Sequence, residues 1–488
     1  MVSLNILLIT LDQFRGDCLS TAGHPIVQTP NLDRLAAQGV RFARHYSQAS
    51  PCSPGRASLY TGMYQMNHRV VANGTPLDDG FDNIAHAARR AGYAPTLFGY
   101  TDQSIDPRVT NGADDPRLQT YEGVLPGFDC ALDLTGRMTP WRDFLTEKGF
   151  DSSSGILNLL ATENERPVDV SVSNFLTSRL IDWLDAQESG WFAHVSYLRP
   201  HPPYSAAGEY STMYSPDSVG LPIARADEVH PFHEVMLMLD GTKAPTDPDE
   251  MAHMRAQYFG MVSEVDYQLG RVFDSLVESG EWDNTVIVVV ADHAELLGDH
   301  GLREKVGYWE TSQHIVGIVA DPRYPVAHGT VIDKFTENID IMPTLCEVMN
   351  IDIPPQCDGL PLTHFITGTE PSWWREAAHW EYDWRFALIP SDRYAWPWKR
   401  RLEQLNLAVR RSETHAYVQF GDGDFLCFDI AADPTWRTLT TNDAIISENA
   451  RAMLTWRMEH ANRSLTGFLV EQGGVGRWPT RVEWRNNS

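Results

Sequence analysis

The sequence predicts an α/β protein, with a large, mostly parallel sheet between helices and a smaller α+β unit at its C-terminal end. Three observations carry this. Near-continuous apolar runs such as "LNILLITL" (4–11) and "TVIVVVA" (285–291) read as strands buried on both faces. They alternate with helical stretches, the pattern of parallel strands joined by crossovers. From about residue 371 the texture becomes Trp-rich and short-stranded. The expected division is therefore a catalytic domain over residues 1–370 and a C-terminal unit over 371–488.

Taken in order, "TPNLDRLAAQG" (29–39) is a helix with Thr29 as N-cap and Pro30 in its first position. "APTLFGY" (94–100), "WFAHVSYL" (191–198) and "HIVGIVA" (314–320) are further central strands. Residues 248–279 form one long helix ending near Gly280, and "NIDIMPTLCEVMN" (338–350) is helical despite its proline. "LAVRRSETHAYVQFGDGDFLCFDI" gives two or three antiparallel strands about a Gly-Asp-Gly turn, followed by a last helix over 446–464. No internal repeat interrupts the chain.

Composition narrows the partners. Sixty-five acids against 39 bases give a formal charge of -26 over 488 residues, which argues against nucleic acid and against an anionic membrane surface. An anionic substrate then requires its own local cations. The N-terminus lacks the basic and apolar regions of a signal peptide, and no apolar run reaches spanning length, so a cytoplasmic location is expected. Six scattered cysteines without C-x-x-C spacing read as thiols, and "NRS" at Asn462 as a chance glycosylation match.

Local chemistry concentrates at two kinds of place. In "SPCSPGRASLYTGMY" (50–64), Cys52 precedes a helix begun at Pro54 and closed by Gly62. That places the thiol at the positive end of a helix dipole, where its pKa should fall and an anion should dock; Arg56 can add a fork of donors. The first strand runs into Asp12 and Gln13, and the strand at 285–291 into Asp292 and His293. Ligands bind at such carboxyl ends in open α/β sheets. Two carboxylates, an imidazole and an amide carbonyl suit one divalent cation, with the imidazole leaning toward Mn²⁺ and the oxygens allowing Ca²⁺. His201, in the proline-stiffened "RPHPPY", is a candidate to bind a substrate oxygen or protonate a leaving group, and Lys305 a candidate cation for developing charge.

At this point the residues carry a resemblance. Cys52-Ser53-Pro54-Gly55-Arg56 resembles the C-x-P-x-R signature of the sulfatases in the alkaline phosphatase superfamily, and "TPNLDRLAAQGVRF", "ADHAELLGDHGL", "DIMPTLCEVM" and "CDGLPL" resemble further landmarks of that family. "GYTDQSIDPR", "RPHPPY", "EYDWR" and "LTWRMEHANRSLT" are similar to the phosphonate monoester hydrolase and cytosolic arylsulfatase branch. The resemblance implies an alkaline-phosphatase-like fold and hydrolysis of small sulfate monoesters, with promiscuity toward phosphonate monoesters and phosphodiesters. A phosphonate monoester hydrolase is the alternative, and a non-catalytic anion-binding protein the remote one.

It further implies that a separate formylglycine-generating enzyme oxidises Cys52. One hydroxyl of the hydrated aldehyde would attack sulfur or phosphorus; the second would lose its proton to expel the product. Asp12, Gln13, Asp292 and His293 would hold the metal, and Arg56 the nucleophile and anion. Lys305 and His201 would contact the non-bridging or leaving oxygens, Asn73 the substrate, and Tyr100 would line the pocket. A homo-oligomer, dimer or tetramer, is also implied. Two departures stand out: Gln13 replaces the second Asp of many sulfatases, and Asp102 occupies a place where related enzymes have Thr or His. Asp102 is expected to take the proton from the second hydroxyl.

Overall fold

The computed structural model describes residues 4–227, 229–388, 396–399, 401–461, 469–470, 472–474 and 476–477. Strands of its two main sheets, in chain order, are β1 (Asn5–Leu11), β2 (Val40–Tyr46), β3 (Ala49–Ser50), β4 (Pro95–Gly99), β5 (Asp129–Asp133), β6 (Phe192–Tyr197), β7 (Thr285–Ala291), β8 (His314–Ile315), β9 (Gly317–Ala320), β10 (Thr330–Glu337), β11 (Ala377–Asp383), β12 (Asn406–Ser412), β13 (His415–Phe420) and β14 (Phe425–Asp429). The large sheet has the order β10-β2-β9-β7-β1-β6-β4-β5, with β8 paired to β2.

Alternation along the central strands explains the layers. Leu7, Ile9 and Leu11 of β1 and Ile287 and Val289 of β7 pack with Val262, Val265 and Leu269 of the helix Pro248–Glu278. Ile6 and Leu8, with Val286, Val288 and Val290, face the other way, against Ala57 and Leu59 of the helix Cys52–Thr61 and Ile341 and Leu345 of Ile341–Val348. Every residue of β1 and β7 is therefore buried, as the unbroken apolar runs predict. Each such side chain contributes about 1.5–3 kcal/mol of apolar burial.

Several expectations need correction. The 314–320 run is not one parallel strand. It is two short pieces, and β9 runs antiparallel to both β7 and β2. Periodicity cannot read strand direction, which is set by the connection. The strands β2, β5 and β10 were not expected; their charged and partly exposed residues hide the strand pattern. Thr29 stands at the N-cap of Pro30–Ala37 but makes no capping bond with its side chain. The last helix is Asp443–His460; Asn462 and the rest of "NRS" lie outside the described residues.

The second sheet has the order β14-β13-β12-β11-β3. Strand β3 lies two residues before Cys52 and pairs parallel with β11, Ala49 opposite Glu381 and Ser50 opposite Tyr382. The C-terminal sheet thus holds the approach to Cys52. The helix itself begins at Cys52, not at Pro54, which takes the third position. Proline is tolerated there because the first-turn N–H groups have no partner inside the helix.

Gly55 lies where this helix meets β7. A Cβ on it would sit 2.5 Å from the Asp292 carbonyl oxygen and 2.9 Å from that of Ala49, both backbone atoms that cannot swing aside. Gly55→Ala is expected to destabilise the protein by about 2–3 kcal/mol through overpacking, read as a lower urea midpoint. An unchanged midpoint would contradict this close approach.

Candidate active site

Four neighbouring strands deliver the site. Strand β1 pairs with β7 in register from Asn5↔Thr285 to Leu11↔Ala291, so the next residues, Asp12 and Asp292, emerge side by side. On its other flank β1 pairs with β6, which leads to His201, and β6 pairs with β4, which leads to Tyr100 and Asp102. The Cys52 helix closes the arrangement from above the sheet edge.

Arg56 is fully buried at the centre. Its Nε donates to Asp292 Oδ2 at 2.8 Å and its Nη2 to Asp12 Oδ2 at 3.1 Å. Nη1 donates to Ser196 Oγ at 2.8 Å and to the Tyr100 carbonyl at 3.2 Å. The guanidinium fork is thus spent on protein carboxylates, where the sequence reading directs it to a bound anion. Tyr100 stacks beneath it, 4.4 Å from ring centre to Cζ, and donates its hydroxyl to Asp12 Oδ2 at 2.7 Å.

Asp12, Cys52, Asp292 and His293 each turn one donor atom into a common space, all within 4.8 Å of one another and all buried. Asp12 Oδ1 has no hydrogen-bond partner there. His293 Nδ1–H donates to the Ala294 carbonyl at 3.2 Å, which leaves the Nε2 lone pair facing Cys52 Sγ at 3.2 Å. An orphaned carboxylate oxygen beside a second acid and a neutral imidazole fits a divalent cation. Gln13 belongs to the same corner, its N–H donating to Asp292 Oδ1 at 3.2 Å, but its side-chain oxygen accepts from Lys305 Nζ at 2.7 Å.

The expected low pKa of the Cys52 thiol is not found. Burial and the neighbouring Asp12 carboxylate push it well above the usual range, outweighing Lys305. A helix N-terminus cannot offset so dry and acid-lined a place. Burial also works to discharge Lys305, yet Cys52, Glu304 and Asp12 raise its pKa, so it is a fixed cation. Its Nζ lies 2.8 Å from His201 Nε2. His201 Nδ1 meets the Pro202 carbonyl at 2.6 Å, and burial and Lys305 lower its pKa, so it is neutral and accepts from Lys305.

Asp102 is buried, held at φ 51°, with Oδ2 3.8 Å from Arg56 Nε. Burial pushes its carboxyl up to about 8 despite Arg56. It holds a proton at neutral pH, so a base at this position works on the alkaline side. Asn73 is exposed and caps the Cys52 helix, its Oδ1 accepting from Ser53 N–H at 2.9 Å. The sequence reading missed Glu295, a buried acid, and Glu304, a half-buried one, which hold Gln13 and Lys305; their place inside "ADHAELLGDHGLREK" was the available signal. A separate cavity of about 710 Å³, lined by Arg44, Phe335, Trp373 and Arg410 among others, includes none of these residues.

Its chemistry is gathered at the carboxyl edge of a mostly parallel sheet, where open α/β proteins bind their ligands, and the chain is a hydrolase of mixed α/β fold. More particularly it belongs to the sulfatase family, whose model, described as Sulfatase, matches residues 4–351. The multifunctional alkaline phosphatase superfamily protein PehA of Trinickia caryophylli is 34% identical over 97% of this chain and 99% of its own. An arylsulfatase of Clostridium perfringens is 27% identical over 82% and 87%. The crystal structure of a phosphonate monoester hydrolase of Agrobacterium radiobacter superposes with a TM-score of 0.88 at 37% identity, covering 98% of this chain and 100% of that one. Among the described residues no helix is long and apolar enough to cross a membrane, and all six cysteines are free thiols.

The raised Asp102 pKa has a consequence for stability. A carboxyl near 8 when folded and near 4 when unfolded binds its proton more tightly in the native state. Its contribution is fully present below the unfolded value and is lost as pH rises toward 8. Urea unfolding at pH 5 and pH 8 should show Asp102→Asn gaining on the wild type at the higher pH. A constant difference across that window would contradict the shift.

Proposed function

We propose that this chain is a metal-dependent hydrolase of sulfate monoesters that also accepts phosphonate monoesters and phosphodiesters, with a matured Cys52 as its nucleophile. The carrying observation is the placement of Cys52: first residue of a helix, Sγ 3.2 Å from His293 Nε2, in the space shared with Asp12 and Asp292. Asp12, Asp292 and His293 would hold the divalent ion, Mn²⁺ or Ca²⁺, with Gln13 beside them, and the ion would supply charge neutralisation at the reacting oxygens. Oxidation of residue 52 to an aldehyde by a separate maturing enzyme would supply a hydrate, one hydroxyl to attack and a second to release the product.

The chain's own residues do the rest. Arg56 holds both carboxylates in place through its hydrogen bonds to Asp12 and Asp292. Lys305 offers the ammonium that meets non-bridging oxygens as charge builds. Lys305 Nζ donates to the neutral His201 Nε2, so a leaving oxygen entering between them would meet the Lys305 ammonium as its hydrogen-bond donor. Asn73 and Tyr100 border the entrance and the floor. All three substrate classes present a singly charged group, which one site of fixed charge can serve.

Similarity to the Agrobacterium hydrolase and the Tyr100–Asp12 hydrogen bond favour a second reading, in which phosphonate monoesters are the main substrate. The ratio of kcat/KM for an aryl sulfate and an aryl phosphonate monoester decides: a larger value for the sulfate supports the first reading, for the phosphonate the second. EDTA is expected to lower both by at least about 100-fold, a loss in the range of the transition-state charge stabilisation such an ion provides, and added Mn²⁺ or Ca²⁺ to restore them. Turnover indifferent to EDTA would overturn the metal-dependent reading.

A further inference from the structure

Beside the site lies a pair of acids to which the reaction as described gives no task. Glu295 is fully buried. Its Oε1 accepts from the backbone N–H groups of Leu297 and Glu304, each at 2.7 Å. Its Oε2 accepts from the Gln13 amide nitrogen, and Glu304 Oε2 lies 3.4 Å from the same nitrogen. The other end of the amide is held as firmly, Gln13 Oε1 accepting from Lys305 Nζ at 2.7 Å. That ammonium also reaches Glu304 Oε2 at 3.2 Å and His201 Nε2 at 2.8 Å.

These partners fix which way the amide points. Turned over, it would set an N–H donor against an ammonium and a carbonyl oxygen against two carboxylates. Gln13 and Glu304 both sit at φ 68°, a backbone conformation that non-glycine residues adopt only when their surroundings hold them there.

We propose that Glu295, seconded by Glu304, is a positioning residue that locks the Gln13 amide with its oxygen toward Lys305, and so fixes both Lys305 and the carbonyl oxygen at residue 13. The functional half of this inference rests on the hydrolase reading above; the geometric half rests on the hydrogen bonds alone. It explains why an amide stands at position 13. A carboxylate there would face Glu295 and Glu304 as a third acid in one corner, and an apolar side chain would take one hydrogen-bond partner from Lys305 and one from Glu295. A carbonyl oxygen keeps a second lone pair after accepting from Lys305, enough to meet a cation. Glu295 is not among the residues whose donor atoms share the space of Asp12, Cys52, Asp292 and His293.

The test is a polarity swap, read first without any metal. In EDTA-treated full-length protein, Gln13→Glu should lower Tm by several degrees. Adding Glu295→Gln restores one acid and one amide across the contact and should recover at least half of that loss. If the two losses simply add, the clamp is wrong. The second readout is Mn²⁺ affinity by calorimetry on metal-stripped protein. Glu295→Asp keeps the charge but shortens the reach to Gln13, and it should raise the Mn²⁺ Kd at least tenfold. A Kd within twofold of the wild type would overturn the functional half. A wild-type protein that binds neither Mn²⁺ nor Ca²⁺ would overturn the metal-centre reading and with it that functional half, while the Tm cycle still decides whether the clamp exists.

Discussion

Everything at this site depends on one buried guanidinium bridging the ends of two adjacent strands. Register alone brings Asp12 and Asp292 together, and donor atoms within 4.8 Å of one another would repel as two anions by a few kcal/mol even at an effective dielectric constant near 20. Arg56 meets one oxygen of each. Removing such a partner from a buried cluster typically costs about 3–5 kcal/mol, because the remaining charges are left uncompensated. The family signature places this arginine one turn into the helix that Cys52 begins, so the same helix that presents the thiol also neutralises the acids beside it.

The surroundings are arranged around that core of charge. The C-terminal sheet holds β3 and hence the approach to Cys52, while the Ser50 hydroxyl donates to the Lys305 carbonyl at 2.8 Å. The loop of Lys305 and the strand end before Cys52 are therefore tied together. Arg199, itself buried against Glu163, donates to the carbonyls of His201 and Pro203 at 2.7 and 2.8 Å. The His201 loop is pinned in the same way, by a buried ion pair behind it. The reactive side chains on strand ends and helix starts are thus joined by two on loops, Lys305 and His201, whose backbone is tied down by polar contacts.

Much of this was legible in the sequence, for identifiable reasons. Doubly buried strands announce themselves as unbroken apolar runs, and residues following them, Asp12-Gln13 and Asp292-His293, are marked by where those runs stop. The structure brings the eleven residues singled out from the sequence to one edge of the sheet. Electrostatic states were less legible. The dipole argument for a reactive Cys52 thiol fails because burial and Asp12 outweigh a helix end, and burial depends on packing that no short motif reveals. Asp102 reads as a simple base, but its proton affinity is set by the same desolvation. The partners of Arg56 were also hidden, since a fork aimed at an anion and one aimed at two carboxylates have the same spacing. Strand β9 escaped because direction belongs to the connection and not to the run of apolar residues.

The most direct test of the account is the mass of the tryptic peptide His45–Arg56 from protein purified out of its own host, measured beside turnover of an aryl sulfate or aryl phosphonate. The account predicts an aldehyde or its hydrate at residue 52, with turnover that scales with the fraction modified. An unmodified cysteine that alkylates fully in protein still hydrolysing either ester would contradict it.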